Sequence, residues 1–329
     1  MRSAVRGFVR YQLALLTCLL ASAAANGQVT NMPPEVQKRL AEVGPVWGKD
    51  VPGNIEKTLE VYTPVLASSP KDGVRKSPDH AYGPNTSQKL DLYLPEKAAK
   101  SPLPIVVYIH GGAFVAGERD INKEVYGNVP TYFAKHGAIG VNATYRLAPK
   151  AQWPAGSEDV ASMVKWIKTN IGQYGGDPGQ IYLIGHSAGA THVSNYLFDK
   201  RLYPDNGPGV KGGILLSGRY HFAPKPNDPS LKGIQAYMGT DASKYKDRSP
   251  LTHLQNAPRT PLFIAIAEYD NPGLDTQGAM LLSEVCKRDG ACPRFLRMEG
   301  HNHLSMVYQF NTKDDQLGRE ILSFMRLGR

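Results

Sequence analysis

Cysteine is scarce in this chain, with three in 329 residues, which is too few for a scaffold built on disulfides. The apolar run from Leu13 to Leu20 is too short to cross a bilayer. No lysine or arginine block stands out, so the formal charge of +9 carries no nucleic-acid footprint. There is no internal repeat and no second globular domain. His301 and His303 form a His-x-His pair, but no third ligand with a carboxylate or cysteine set accompanies them, which argues against zinc. These absences leave any function to be sought outside disulfide scaffolds, basic patches and zinc sites.

The start of the sequence says where. Arg2, Arg6 and Arg10 precede the short apolar run, and Ala21-Ser22-Ala23-Ala24-Ala25 supplies small residues for cleavage, the layout of a secretory signal peptide over residues 1–25. Cys18 lies inside the apolar run and is followed by Leu19-Leu20, which disfavours a lipoprotein site. The expected location is periplasmic or secreted, with no stable membrane anchor after cleavage. Removing residues 1–25 takes away three arginines and no acid, so the formal charge falls from +9 to +6. It also removes Cys18 and leaves Cys286 and Cys292, expected to pair in an oxidising compartment.

Apolar runs near 105–109, 138–143, 181–184, 213–217 and 262–267 read as buried strands, separated by amphipathic stretches such as Ser157–Ile171 and Gln277–Lys287. That alternation predicts a mostly parallel, doubly wound α/β sheet with helices on both faces. Val74–Tyr82 and Leu90–Leu94 read as antiparallel opening strands. Residues 26–73 begin with a helix-like stretch, Pro34–Leu40, and form an N-terminal arm or cap; residues 74–329 make the main domain.

The most specific feature is Gly185-His186-Ser187-Ala188-Gly189, which follows the apolar run Ile181-Tyr182-Leu183-Ile184. It fits the Gly-x-Ser-x-Gly nucleophile elbow, a strand-to-helix turn so tight that the flanking positions need glycine. Upstream, Ile105–Ile109 runs straight into His110-Gly111-Gly112-Ala113-Phe114. A carbonyl attacked by a serine becomes an oxyanion that needs backbone N–H groups aimed at it, and Gly112, Ala113 and Ala188 are the candidate donors. His110 and His186 read as structural neighbours of these motifs.

Together these motifs resemble the hormone-sensitive-lipase-like carboxylesterases of the α/β-hydrolase superfamily, with Ala113 standing where that family commonly has a third glycine. The resemblance continues through Tyr145-Arg146-Leu147-Ala148-Pro149, Trp153-Pro154-Ala155, Asp159 and Gly175-Gly176-Asp177-Pro178, and covers roughly residues 74 to 328. It implies the α/β-hydrolase fold, about eight strands with a small cap excursion, and a lid between Arg219 and Thr260. It gives Asp159 and Arg146 structural roles.

A serine hydroxyl needs a histidine base and an acid that orients it. The resemblance places them after the serine, acid first. Asp270 follows the apolar run Leu262–Ala267 and is favoured over Glu268, in or at the strand, and Asp275, which reads as an N-cap. In Glu299-Gly300-His301-Asn302-His303, the residues alone leave His301 and His303 open; the family wording selects His303. The reading is therefore a serine carboxylesterase acting on a small-molecule ester with no cofactor or metal. The alternatives are an arylformamidase-like amidase, which an exported location disfavours, and a non-catalytic module on the same fold. A prolyl-peptidase type is disfavoured because the chain has no room for a propeller.

Overall fold

The computed structural model describes residues 29, 31–224, 226 and 228–326; the expected signal peptide, residues 1–25, lies outside them. The eight strands are β1 (Val74–Ala81), β2 (Lys89–Pro95), β3 (Leu103–Ile109), β4 (Ile139–Ala143), β5 (Gly176–His186), β6 (Gly212–Leu216), β7 (Leu262–Tyr269) and β8 (Arg294–Asn302). They form one sheet in the order β1-β2-β4-β3-β5-β6-β7-β8. β2 runs antiparallel to both its neighbours, and β4, β3, β5, β6, β7 and β8 pair in parallel.

The central strands are apolar on both faces because both faces are covered. Val106 and Tyr108 of β3 point into one core, while Ile105, Val107 and Ile109 point into the other. The second core is closed by α4 (Ala155–Asn170), whose buried Val160, Met163, Val164 and Ile167 fall at helical spacing, by α5 (Ala188–Phe198), and by α8 (Leu274–Asp289). The first core is closed by α3 (Asn128–Lys135), α10 (Gln316–Met325) and the N-terminal helices. Each buried Val, Leu or Ile contributes about 1.5–3 kcal/mol relative to exposure, which is why these patterns are continuous.

The N-terminal arm is helical over more of its length than Pro34–Leu40. α1 (Pro34–Val43) leads through a 3₁₀ turn, Gly44–Lys49, into α2 (Val51–Ser68), begun by the Asp50 side chain accepting from the Gly53 N–H. The buried positions of α2 are Asn54, Thr58, Tyr62 and Leu66, and Pro64 lies inside it, so its inward stripe is half polar. Asp275 is not the N-cap of α8: Gly273 is, and Asp275 stands in the first turn with its side chain on the Thr276 N–H. Cys286 and Cys292 are joined between α8 and β8. The excursion after β6 holds α6 (Leu231–Met238) and the short α7 (Pro250–His253).

Candidate active site

Ser187 stands between β5 and α5 with φ 55° and ψ −120°, a left-handed conformation that costs a non-glycine residue about 1–3 kcal/mol. The turn is this tight because the chain crosses its neighbours closely. A Cβ on Gly185 would lie 2.5 Å from the Gly189 carbonyl oxygen, and one on Gly189 would lie 2.2 Å from that of Ile109. The Ser187 N–H donates to the Leu216 carbonyl at 2.9 Å, which fastens the turn to β6.

Beside it, the loop after β3 turns at Gly112 (φ 133°), Ala113 (φ 50°) and Phe114 (φ 71°). The Gly112 carbonyl accepts from the N–H groups of Val115 and Ala116. Gly111 packs on the serine: a Cβ there would stand 2.9 Å from Ser187 Cβ. Among the described residues the amides of Gly112, Ala113 and Ala188 have no backbone acceptor, and that of Ala188 belongs to the first turn of α5, where helix amides are unpaired. Ala113 adopts the positive φ that a glycine would take without strain. Above this loop, Gly233 of α6 lies against the Ala113 carbonyl, and Phe114 stacks on Tyr237 with centroids 4.8 Å apart.

Asp270 leaves the end of β7 and His303 the end of β8, and the two meet: His303 Nδ1 is 2.6 Å from Asp270 Oδ1. Both side chains are buried, at 4% and 2% exposure, so the pair is shielded from competing water. Asp270 Oδ2 accepts from the Ser217 hydroxyl at 2.5 Å and from the Ala267 N–H at 3.2 Å, and Oδ1 also accepts from the Asn271 N–H at 2.8 Å. Ser217 was not among the residues singled out in the sequence, although its place at the end of β6, on the same sheet edge, was a usable signal.

The rivals have other occupations. Glu268 accepts from the Gly300 N–H at 2.7 Å and pairs with Arg297. His301 Nε2 lies 3.1 Å from Asp314 Oδ2, close but without hydrogen-bond geometry, and its Nδ1 is 3.1 Å from the Ser305 hydroxyl. The two histidines of the His-x-His pair therefore serve different carboxylates, and among the described residues no group of three potential ligands gathers for a metal. Asp159 accepts from the Arg146 backbone and guanidinium and from Gln88, fixing the loop after β4.

Three further histidines lie under the site. His186 Nε2 is 2.8 Å from the His303 carbonyl, which anchors the loop after β8, and burial together with His303 holds its pKa well below the usual value. His110 Nδ1 is 2.7 Å from the Gly111 carbonyl, and burial pushes its pKa down to about 4. Burial pushes His192 of α5 down to about 3, with the His110 charge adding to it. All three stay neutral at pH 7.

A family model described as BD-FAE matches residues 90–197. The chain is 30% identical over 200 residues to a probable carboxylesterase 7 of Arabidopsis thaliana, covering 58% of this chain and 63% of that one. It is 28% identical over 255 residues to the kynurenine formamidase of Danio rerio, covering 75% and 81%. Four similar proteins of Arabidopsis thaliana and Oryza sativa are spanned by the chain over 51% to 63% of their length. In structure it resembles a hyperthermophilic esterase from Pyrobaculum calidifontis, with a TM-score of 0.66 at 22% identity, covering 90% of this chain and 98% of that one.

Proposed function

We propose that this chain, an α/β-hydrolase of the carboxylesterase-like kind, cleaves carboxylic esters through an acyl-enzyme, with Ser187 as nucleophile, His303 as base and Asp270 as the acid that orients it. The observation that carries the reading is the buried His303–Asp270 pair at 2.6 Å, on the same sheet edge as a serine held at φ 55°. With Nδ1 committed to Asp270, His303 is left with Nε2 to take the serine proton. Ser187 Oγ then bonds to the ester carbonyl carbon, and the negative charge on the carbonyl oxygen is met by the amides of Gly112, Ala113 and Ala188. Collapse breaks the ester C–O bond as the imidazolium returns its proton to the leaving alkoxide. Water, deprotonated by His303, attacks the acyl carbon and frees the acid and Ser187.

Small or aromatic acyl groups are the substrates we favour. The excursion 219–260 serves as the lid, with α6 resting on the oxyanion loop, and the enzyme acts outside the cytoplasm after loss of residues 1–25. The similarity to a kynurenine formamidase supports a second reading, hydrolysis of an aryl formamide by the same residues. Rates on short p-nitrophenyl esters, feruloyl esters and formylkynurenine, measured side by side, separate the two. Ser187→Ala is expected to abolish labelling by a fluorophosphonate and to lower ester hydrolysis about 10⁴-fold or more. Near-normal turnover in that variant would refute the assignment.

A further inference from the structure

The helices before the sheet touch both loops that carry the Asp270–His303 pair, through buried polar groups. Trp47, 1% exposed in the turn between α1 and α2, donates its indole N–H to Asn271 Oδ1 at 2.8 Å. Asn271 in turn donates its backbone N–H to Asp270 Oδ1, the oxygen that meets His303 Nδ1. The contact is flush along this loop, since a Cβ on Gly44 would lie 2.4 Å from the Tyr269 ring and one on Gly48 3.3 Å from Pro272.

Eleven residues after Trp47, on α2, the fully buried Thr58 hydroxyl accepts from Asn302 Nδ2 at 3.0 Å and donates to the Asn54 carbonyl at 2.7 Å. Asn302 precedes His303, and its Oδ1 accepts from the N–H groups of Leu304 and Ser305, closing the turn around the base. Asn54 joins the two anchors, because its side-chain amide donates to the carbonyls of Val46 and Trp47 at 3.1 and 3.3 Å. An arm that served only to cover apolar surface would need none of these bonds, and burying polar groups is costly unless each finds a partner.

We infer that the N-terminal arm belongs to the catalytic apparatus, with Trp47 and Thr58 as positioning residues that set the geometry of Asp270 and His303 from outside the sheet. The inference rests on the triad reading above. Neither residue reaches the reacting atoms. Each clamps the residue next to a triad member, and catalytic groups tolerate little displacement.

The test uses the full chain with Trp47→Phe, which keeps an aromatic ring and removes the donor, and Thr58→Val, which keeps the shape and removes the hydroxyl. Each is expected to lower kcat about 10-fold or more with KM little changed. Each is also expected to slow fluorophosphonate labelling by a similar factor and to move the acidic limb of the kcat/KM profile to lower pH, because a loosened Asp270 stabilises the imidazolium less. Thr58→Ser restores all three. Asn271→Ala, which cuts the Trp47 bond from the other side, serves if Trp47→Phe does not fold. Wild-type kcat, labelling rate and pH profile in these variants, whatever their melting temperature, would overturn the inference and reduce the arm to a stabilising segment. Ser187→Ala run in parallel keeps the two failures apart: if it stays active the triad reading falls, and if it is inactive while the arm variants match wild type only the positioning role falls.

Discussion

Replacing His192 is expected to blunt the acid sensitivity of the fold. The ring is 1% exposed and packs against Phe114, Tyr145 and Tyr237 at centroid distances of 5.5, 4.7 and 5.0 Å. Among the described residues neither ring nitrogen has a hydrogen-bond partner, so nothing compensates a proton there, and burial holds the pKa at about 3. In the unfolded chain the same group titrates near its ordinary value of about 6.5. Because the folded pKa is the lower one, the unfolded state binds the extra proton, and stability present above pH ~6.5 is lost as pH falls toward about 3. Taking those two values, the loss between pH 7.5 and pH 5 is about 2 kcal/mol for this one residue. His110, held near 4 by burial, loses about the same and acts as an internal reference. The assay is urea unfolding of wild type, His192→Phe and His192→Leu at both pH values, compared as the drop in unfolding free energy rather than as absolute stability. That drop is expected to be about 2 kcal/mol smaller in both variants. Wild-type and variant curves that run parallel from pH 7.5 to 5 would refute the reasoning, because the difference is insensitive to any packing change that acts equally at both pH values.

Ser217→Ala removes the hydroxyl donor at 2.5 Å from Asp270 Oδ2 and leaves the Ala267 N–H in place. A bond to a charged acceptor is worth about 1.5–3 kcal/mol, so kcat should fall roughly 10- to 100-fold, which steady-state kinetics reads directly. His303→Ala is expected to match Ser187→Ala in activity, whereas His301→Ala should keep its turnover at low temperature and melt earlier, having removed a buried ring and its bond to the Ser305 hydroxyl; swapped phenotypes would make His301 the base. The double variant Cys286→Ser, Cys292→Ser opens a loop whose ends are six residues apart. In the chain-entropy model so short a loop contributes about 2 kcal/mol, so thermal tolerance should drop while room-temperature activity stays. Alkylation of the mature protein without reduction, followed by mass spectrometry, checks the bond itself.

Features set by local constraints are legible in the sequence. The elbow around Ser187 announces itself because its constraint is local: Gly185 and Gly189 are needed where backbone passes within about 2.5 Å of a Cβ, and no other residue type fits. The strands were legible because burial on both faces makes their apolar runs continuous, and Asp270 because a residue just past such a run lies on the sheet's C-terminal edge. Helix α2 was not, since its inward positions Asn54 and Thr58 are polar and Pro64 interrupts it. Their inward orientation makes sense only once Trp47 and Asn302 are beside them.

The sequence by itself determined which residue types were available at the sheet edge and in what order along the chain. It did not determine which histidine meets which carboxylate. His301 and His303 are two residues apart, a spacing that would put both on one face of a regular strand, but β8 ends at Asn302 and His303 lies in the turn beyond it, so the choice falls to the neighbours, Asp314 for one and Asp270 for the other. The bonds from Trp47 to Asn271 and from Asn302 to Thr58 join positions 224 and 244 residues apart. Such pairings carry no periodicity and no motif. They exist because packing the arm against the ends of β7 and β8 brings polar groups together in a place where each must find a partner.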